Sequence, residues 1–397
     1  MLPKRIVTET FSAIASIYYL PRYLGFAPYY FEENNSKQFK SSTIIYNVIF
    51  SPIHILLFIT ILTYYFGFLK AITHVSDFAY VGMAVYGLSY ITQCAYVIIE
   101  TNIFLRRKYV KLLNKIESNR RKLIRYTVEV DLFFFSIKRK IRAFILIYVM
   151  GIIIAGMITI KTQYEIYNHV YEIVFISITY INIYIAPVII FMQCCTGIAL
   201  YGGLISAIND YLVKCRLEET LPNLFLNMKR LLRLYLEIHD DLMEYNESIS
   251  ALIVVNITAH MIQIIFEMYV TFIPIINRTF SPFIIESIVV IILTEFGVFY
   301  CLSVHEYCKQ TLIQTRKIVF QLTVDVNDKK IRRELKAFTL ALAHLDVELT
   351  AKNMFNVDLS LMTKIIAACI TYVTLLVQVD CNVDMYYIYL NRQDSFY

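Results

Sequence analysis

Long apolar runs separated by polar stretches recur along the whole chain. Each run has roughly twenty residues or more, the length that an α-helix needs to cross the hydrocarbon core of a bilayer. The seven runs cover residues 43–69, 77–99, 141–160, 173–203, 249–274, 284–304 and 358–379. The pattern therefore predicts an all-α polytopic membrane protein with seven transmembrane helices.

Two long polar connections, 204–248 and 305–357, also carry helical patterns. The first contains NMKRLLRLYLEIHDDLMEY, which is amphipathic as a helix. In the second, apolar residues recur at helical spacing at Leu335, Phe338, Leu342 and Leu345. Such regularity argues against disordered loops. We predict helices that continue the spans into the cytosol and form an anchor domain.

These patterns divide the chain into four parts. Residues 1–42 are expected to be a cytosolic N-terminal segment, and residues 43–304 the first six transmembrane helices with a ligand pocket and cytosolic loops. Residues 305–357 are expected to be the anchor helices. Residues 358–397 then hold the seventh helix and an extracellular tail.

Basic residues fall almost entirely on one side of the predicted membrane. The segments assigned to the cytosol hold 32 lysines and arginines, and the opposite side holds 4. Because basic residues are retained in the cytosol, the N-terminus is predicted inside and the C-terminus outside. A G-protein-coupled receptor has the reverse orientation, and its Asp-Arg-Tyr and Asn-Pro-x-x-Tyr motifs are absent from the expected places.

The composition agrees with a membrane protein and excludes several other classes. Of the 397 residues, 58% are hydrophobic and 17% are charged, and the mean hydropathy is +0.57. The sequence shows no Gly-rich phosphate loop, no metal-ligand spacing and no catalytic constellation. We therefore expect no enzyme activity, no cofactor and no nucleic-acid partner. Adjacent Cys194 and Cys195 are interpreted as small apolar helix residues, and no disulfide framework is expected.

Polar and small side chains form one stripe along the last apolar run. Ser360, Lys364, Thr371, Thr374 and Gln378 are spaced as one face of a helix, and alanines fill the gap on that face. One interpretation is a helix–helix contact within the chain, where small and polar residues favour close packing. The other is a water-filled path, which needs several subunits around an axis.

Further polar faces occur in other spans and suit a small polyhydroxylated or amphipathic ligand. The fifth span carries Asn256, His260, Gln263 and Glu267 at one-face spacing, with Tyr269 and Thr271 beyond. The remaining candidates are Tyr86, Tyr90 and Gln93 in the second span, Tyr180, Asn182 and Tyr184 in the fourth, and Glu286, Thr294 and Glu295 in the sixth. The alternative is an interhelical hydrogen-bond network, which we favour for Asn256 and His260.

Three stretches resemble insect gustatory receptors. TYVTLLVQ at 371–378 resembles the signature of their seventh span, and FNVDLSLMTKIIAACI at 355–370 resembles the segment that leads into it. IYYLPRYLGFAPYYF at 17–31 resembles the family's N-terminal stretch. One departure is that Val379 takes the place of the signature's Phe, so the related insect odorant receptors stay an alternative family.

The resemblance implies a tastant-gated, non-selective cation channel in the plasma membrane of chemosensory neurons. Four subunits, as a homotetramer or a heteromer with related receptors, would surround a pore lined by the seventh helix. Permeant cations would pass the pore, and lipids would surround the assembly. The implied pore residues are Leu375 as a closing hydrophobic ring, Gln378, Val379, Thr374, Thr371 and Lys364, with Asp380 and Asp384 at the mouth. The implied ligand residues are Tyr86, Tyr90, Gln93, Tyr180, Tyr184, Glu267, Thr271 and Glu295.

Two other functions remain as alternatives. An odorant-receptor-type subunit would need a co-receptor to conduct. A secondary transporter would use the intramembrane carboxylates Glu267, Glu286 and Glu295, although paired halves and broken helices are not evident.

Overall fold

The computed structural model describes residues 29–32, 38–41, 56, 59, 77–100, 104–126, 130–164, 170–217, 224–276 and 282–394. The predicted first span, 43–69, lies outside these residues except for Leu56 and Ile59, both of which are helical. The N-terminal stretch that resembles the gustatory receptors also lies outside them up to residue 28.

The described residues fold into long helices and two short hairpins. The helices are α1 Asp77–Ile99, α2 Arg106–Ile124, α3 Val130–Tyr164, α4 Val170–Leu217, α5 Leu224–Ile276, α6 Pro282–Asp325, α7 Lys329–His344 and α8 Ser360–Asp394. The antiparallel strands are β1 Tyr29–Glu32 with β2 Gln38–Ser41, and β3 Thr350–Ala351 with β4 Phe355–Asn356. The prediction of an all-α membrane-type fold is confirmed, and the hairpins are additions to it.

The polar connections continue the apolar runs as single helices. Helix α5 joins the amphipathic segment 227–245 to the predicted fifth span and has 53 residues. At 1.5 Å per residue it is about 80 Å long, far more than the roughly 30 Å of a bilayer's hydrocarbon core. Helices α4 and α6, with 48 and 44 residues, also exceed a span. The predicted helical extensions are therefore confirmed.

Four described segments are long and apolar enough to cross a membrane by length and composition. They are Val130–Ile158, Phe191–Arg216, Met228–Tyr269 and Ser360–Val379. The count of seven spans and the orientation of the termini stay predictions.

The core of the fold is built around α4. From Phe191 to Asn209 every residue of this helix except Ser206 is buried, and α4 contacts α1, α2, α3, α5 and α6. Tyrosines from two neighbours donate hydrogen bonds to its backbone: Tyr109 to the carbonyl of Gln193 at 3.0 Å, and Tyr245 to the carbonyl of Cys194 at 2.8 Å. These bonds fix α2 and α5 against the centre of α4.

Helix α7 follows the periodicity predicted from the sequence. Its buried residues are Ile331, Leu335, Phe338 and Leu342, and Phe338 packs edge-on against Tyr235 of α5 with ring centroids 5.6 Å apart. Asp328 caps the first turn by accepting hydrogen bonds from two backbone N–H groups. Leu345 was predicted on the same apolar face, but it lies at the C-cap with extended backbone, so the helix ends one residue before it.

Ion pairs and hydrogen bonds from side-chain amides join the polar halves of the helices. Lys115 of α2 contacts Asp241 of α5 at 2.6 Å, and Asn119 donates to the other oxygen of the same carboxylate at 2.9 Å. At the far ends of α4 and α6, Arg216 contacts Asp325 at 2.6 Å. The second of these pairs is well exposed and adds little stability, whereas buried Asp241 satisfies two donors.

Gly197 gives a direct test of the packing around α4. A Cβ at this position would overlap the ring of Tyr245, which is fully buried and held by its bond to Cys194. We expect Gly197→Ala to lower stability by about 1–3 kcal/mol, because the ring cannot move away freely. The measurement is thermal unfolding of the detergent-solubilised protein.

Gly156 on α3 is the matched control. A Cβ there meets nothing within 4 Å, so Gly156→Ala should leave stability unchanged or raise it slightly. Equal losses in both variants would contradict the packing described around Gly197.

Candidate functional site

The last helix, α8, lies at the edge of the subunit. Only three residues of Ser360–Val379 are buried, in contrast to the nearly complete burial of the central part of α4. Its buried residues, Ile365, Cys369 and Val373, are four positions apart and form a single narrow stripe. Along this stripe α8 packs against α5 and α6. The other residues from Ser360 to Val379 are half-buried or exposed.

The polar stripe predicted from the sequence is on the exposed side. Lys364, Thr371, Thr374 and Gln378 are all exposed. At 100° per residue they centre about 180° from the buried stripe. Thr371 and Thr374 donate their hydroxyl protons to the carbonyls of Ala367 and Ile370, both at 2.8 Å. The described part of the subunit therefore leaves the stripe exposed, and the hydroxyl oxygens still offer lone pairs to water.

Apolar side chains accompany the polar stripe. Leu375 is 50% exposed and lies on the polar face itself, and Val379 is 45% exposed at its border. Ile366, Ile370 and Tyr372 are exposed on the flanks. Within a membrane, such a surface is covered by lipid or by a neighbouring protein chain.

The start of α8 is tied to α6 by Asp358. Its Oδ1 accepts hydrogen bonds from the backbone N–H of Ser360 at 3.1 Å and from the Ser360 hydroxyl at 2.6 Å. Its Oδ2 accepts from Nζ of Lys309 on α6 at 2.9 Å. Burial alone would raise the pKa of Asp358, but these hydrogen bonds and the Lys309 charge outweigh it and lower the pKa.

Two of the predicted ligand residues meet across α1 and α5. Tyr86 donates a hydrogen bond from its hydroxyl to Oε1 of Glu267, and both side chains are half-buried. Thr271, one turn further along α5, donates its hydroxyl to the backbone carbonyl of Glu267 at 2.6 Å and is buried. The structure thus brings Tyr86, Glu267 and Thr271 together.

Gln93 belongs to a fully buried amide chain. Its Nε2 donates to Oδ1 of Asn256 at 2.8 Å, and its Oε1 accepts from Nε2 of Gln263 at 2.9 Å. Oε1 of Gln263 lies 3.0 Å from Nδ1 of His260. Asn256 and His260 therefore lie in an interhelical network, the alternative that we favoured for them. Gln93 was predicted as a ligand residue, and here its amide is engaged at both ends.

Glu295 of α6 is apart from these groups. Its side chain is half-buried, and its buried Oε2 has no hydrogen-bond partner within the described part of the chain. For the remaining candidates the structure describes the helical backbone but not the side chains, and their roles stay predictions. They are Tyr90, Tyr180, Asn182, Tyr184, Glu286, Thr294, Asp380 and Asp384.

The sequence analysis missed the Asp358–Lys309 contact. An Asp two residues before the Ser that begins an apolar helix is a capping signal that could have been found. Its second partner is 49 positions away in the chain and depends on how α6 packs beside α8, so no local pattern reveals it.

The comparison with known families covers nearly the entire chain. A family model described as 7tm Chemosensory receptor matches residues 14–382. The chain belongs to this chemosensory receptor family. The predicted membership is confirmed, whereas the comparison does not separate gustatory from odorant types.

Solved structures agree with the fold of this receptor. The insect olfactory receptor OR5 from Machilis hrabei matches with a TM-score of 0.68 and 13% sequence identity, over 92% of this chain and 97% of that chain. The same receptor in complex with eugenol matches with a TM-score of 0.62, at the same identity and coverage. At this identity the likeness establishes the fold alone. Among curated proteins, none matches the sequence significantly.

Asp358 provides a test of how the receptor holds its last helix. Asp358→Ala removes a helix cap and a charge-assisted hydrogen bond, so we expect a loss of about 2 kcal/mol in thermal stability. Asp358→Asn keeps an oxygen acceptor and should lose less.

The Asp358 contribution also has a defined pH dependence. Because the pKa of Asp358 is lower when folded, its contribution is complete at neutral pH and is lost as the pH falls through the folded pKa. Thermal unfolding of both variants and the unchanged receptor across pH is the measurement. If the difference in thermal stability between the unchanged receptor and the variants stays constant down to strongly acidic pH, the predicted pH dependence is wrong.

The Tyr86–Glu267 contact can be tested by a double-mutant cycle. Tyr86→Phe removes the donor of this hydrogen bond and Glu267→Gln removes the charge of its acceptor, so their combined effect should fall short of the sum by about 1.5 kcal/mol. Thermal unfolding of the two single variants and the double variant gives the coupling. Strict additivity would show that the two side chains do not interact in the receptor.

Proposed function

We propose that this receptor is a gustatory-type, ligand-gated, non-selective cation channel. In this proposal four subunits surround a central pore lined by α8, in the plasma membrane of chemosensory neurons. The observation that carries the proposal is the exposed polar stripe of α8, opposite the narrow face by which the helix packs on its own subunit.

The two faces of α8 need different environments. Ile365, Cys369 and Val373 are covered by α5 and α6, whereas Lys364 and Gln378 are left outward. An amide or ammonium group facing lipid costs free energy, so polar residues inside a membrane usually face a protein interior or a water-filled cavity. A central axis shared by several copies supplies such a cavity and covers the apolar flanks with neighbouring subunits.

Leu375 is proposed to close this pore. It lies among the polar residues and is half exposed. On that face, every residue between Lys364 and Leu375 has a smaller side chain than leucine. A ring of leucines excludes water when narrow and so stops ion flow without a plug. Gln378 and Val379 lie about one turn outward, and Asp380 and Asp384 at the mouth attract cations. Lys364 belongs to the wider inner end.

The ligand is proposed to bind among α1, α4, α5 and α6, near Tyr86, Glu267 and Thr271. Hydroxyl, carboxylate and aromatic groups converge there and suit a small molecule with hydrogen-bonding groups. The similarity to a receptor that was solved with eugenol supports a small-molecule ligand of this kind. By this proposal a ligand competes with the Tyr86–Glu267 bond.

An odorant-type channel subunit is the second candidate. The fold similarity to an olfactory receptor and the presence of Val379 in place of the signature's Phe favour it. The stretch TYVTLLVQ at 371–378 favours the gustatory type. An odorant-type subunit would be silent when expressed alone and active with a related receptor.

Current recordings test the pore assignment. The chain is expressed alone in a heterologous cell and exposed to a panel of tastants. We expect the unchanged chain to give ligand-dependent cation currents. Leu375→Ala should raise the current measured without ligand, because the hydrophobic ring is widened. Gln378→Ala should change conductance or selectivity, and Asp380→Asn should lower the conductance for cations, because the mouth loses negative charge.

Ile366→Ala is the matched control for Leu375→Ala. Ile366 is an exposed apolar residue of the same helix, nine positions away and therefore on the opposite side, at about 180°. Currents that are unchanged by all three pore variants, or changed equally by Ile366→Ala, would reject the assignment. Saturating flux without unitary current steps would instead indicate a transporter.

A further inference from the structure

A buried cluster of two thiols and an imidazole lies between α4 and α6 and includes none of the residues assigned to the pore or the ligand. Cys195 comes from α4, and Cys301 and His305 come from α6. All three side chains have no exposed surface. One ligand atom from each residue lies within 4.8 Å of the other two. These are the donor types that bind zinc in proteins.

The positions of the residues follow from helix geometry. Cys301 and His305 are four residues apart, so they share one face of α6, and that face is turned toward α4. Cys195 lies in the buried part of α4 and is itself fully buried. The sequence analysis expected no metal, because the third donor is 106 positions from Cys301 and no compact motif is formed.

The two ring nitrogens of His305 have different surroundings. Nδ1 lies 2.8 Å from the carbonyl oxygen of Cys301, to which it can donate, and 3.7 Å from the sulfur of the same residue. Nε2 is buried and, among the described residues, has no hydrogen-bond partner. With the proton on Nδ1, Nε2 carries an unused lone pair in a site without exposed surface. An unsatisfied buried acceptor of this kind costs free energy.

We propose that Cys195, Cys301 and His305 form a zinc-binding site. Metal-binding histidines usually donate the second ring N–H to a carbonyl or carboxylate, and the Nδ1 bond to Cys301 already supplies this arrangement. Zinc on Nε2 and on the two sulfurs gives each buried donor atom a partner. The ion replaces the thiol protons, which leave to solvent as the site is loaded.

Charge balance selects zinc over a cuprous ion. Two thiolates neutralise Zn²⁺ completely, whereas Cu⁺ with two thiolates leaves a net negative charge in a buried site. An uncompensated buried charge is strongly disfavoured. Three protein ligands leave one zinc position for a further group, as in other Cys₂His sites. The bound ion would link α4 to α6 close to the carbonyls that hold Tyr109 and Tyr245.

The test is the metal content of the full-length receptor, purified in detergent and dialysed against metal-free buffer. We expect about one zinc ion per chain. Cys301→Ser and His305→Gln should each lower zinc affinity at least about tenfold. Cys194→Ser is the matched control, because Cys194 is adjacent to Cys195 and buried but does not belong to the cluster, so its zinc content should be unchanged.

Cobalt substitution gives a readout that does not depend on the variants folding. The unmodified receptor, stripped of metal and loaded with Co²⁺, should show a thiolate-to-cobalt charge-transfer band that equimolar zinc removes. A receptor that contains no zinc and gives no such band overturns the proposal, as does equal metal loss in Cys194→Ser and Cys301→Ser. If the receptor contains copper in place of zinc, the preference for Zn²⁺ inferred from charge balance is wrong, and so is the proposed zinc site.

Discussion

The close packing of α4 is the constraint on which the other elements depend. From Phe191 to Asn209 every residue except Ser206 is buried, and five other helices contact α4. Gly197 lies where the ring of Tyr245 passes, so α4 and α5 approach closely only because a side chain is missing there. Tight packing and hydrogen bonds to the α4 backbone are suited to a membrane protein, because apolar burial gives little driving force between helices that are already in lipid.

The polar groups inside the bundle divide into satisfied and outward-facing sets. Gln93, Asn256, Gln263 and His260 bond mainly to one another, which stiffens the contact between α1 and α5. On α8, by contrast, the polar side chains share one face that the subunit does not cover. The same residue types thus serve two purposes, and only their neighbours in three dimensions tell the two apart.

Sequence periodicity predicted the apolar helices but not the residues they contact, and it missed α2, which lies in the basic connection between the predicted spans 77–99 and 141–160. The predicted span 77–99 coincides with α1, and Ile331 to Leu342 of α7 are buried at the spacing that the pattern implied. These features depend on local repeats of apolar residues. The bond between Gln93 and Gln263 and the meeting of Cys195 with Cys301 join residues more than a hundred positions apart, and they depend on helix packing that no local pattern encodes. The hairpin β3–β4 was missed because each strand has only two residues.

Helix α8 is attached to the subunit at Asp358 and along one narrow face. Its N-terminal end is held by Lys309 of α6, and among the described residues from Thr374 to Val379 none is buried. Twenty residues separate Asp358 from Gln378, which is about 30 Å along the helix. A tilt of the helix by about 5° about Asp358 therefore displaces Gln378 by about 2.6 Å. In the proposed channel, such a tilt would move the Leu375 and Gln378 side chains of each subunit relative to the pore axis.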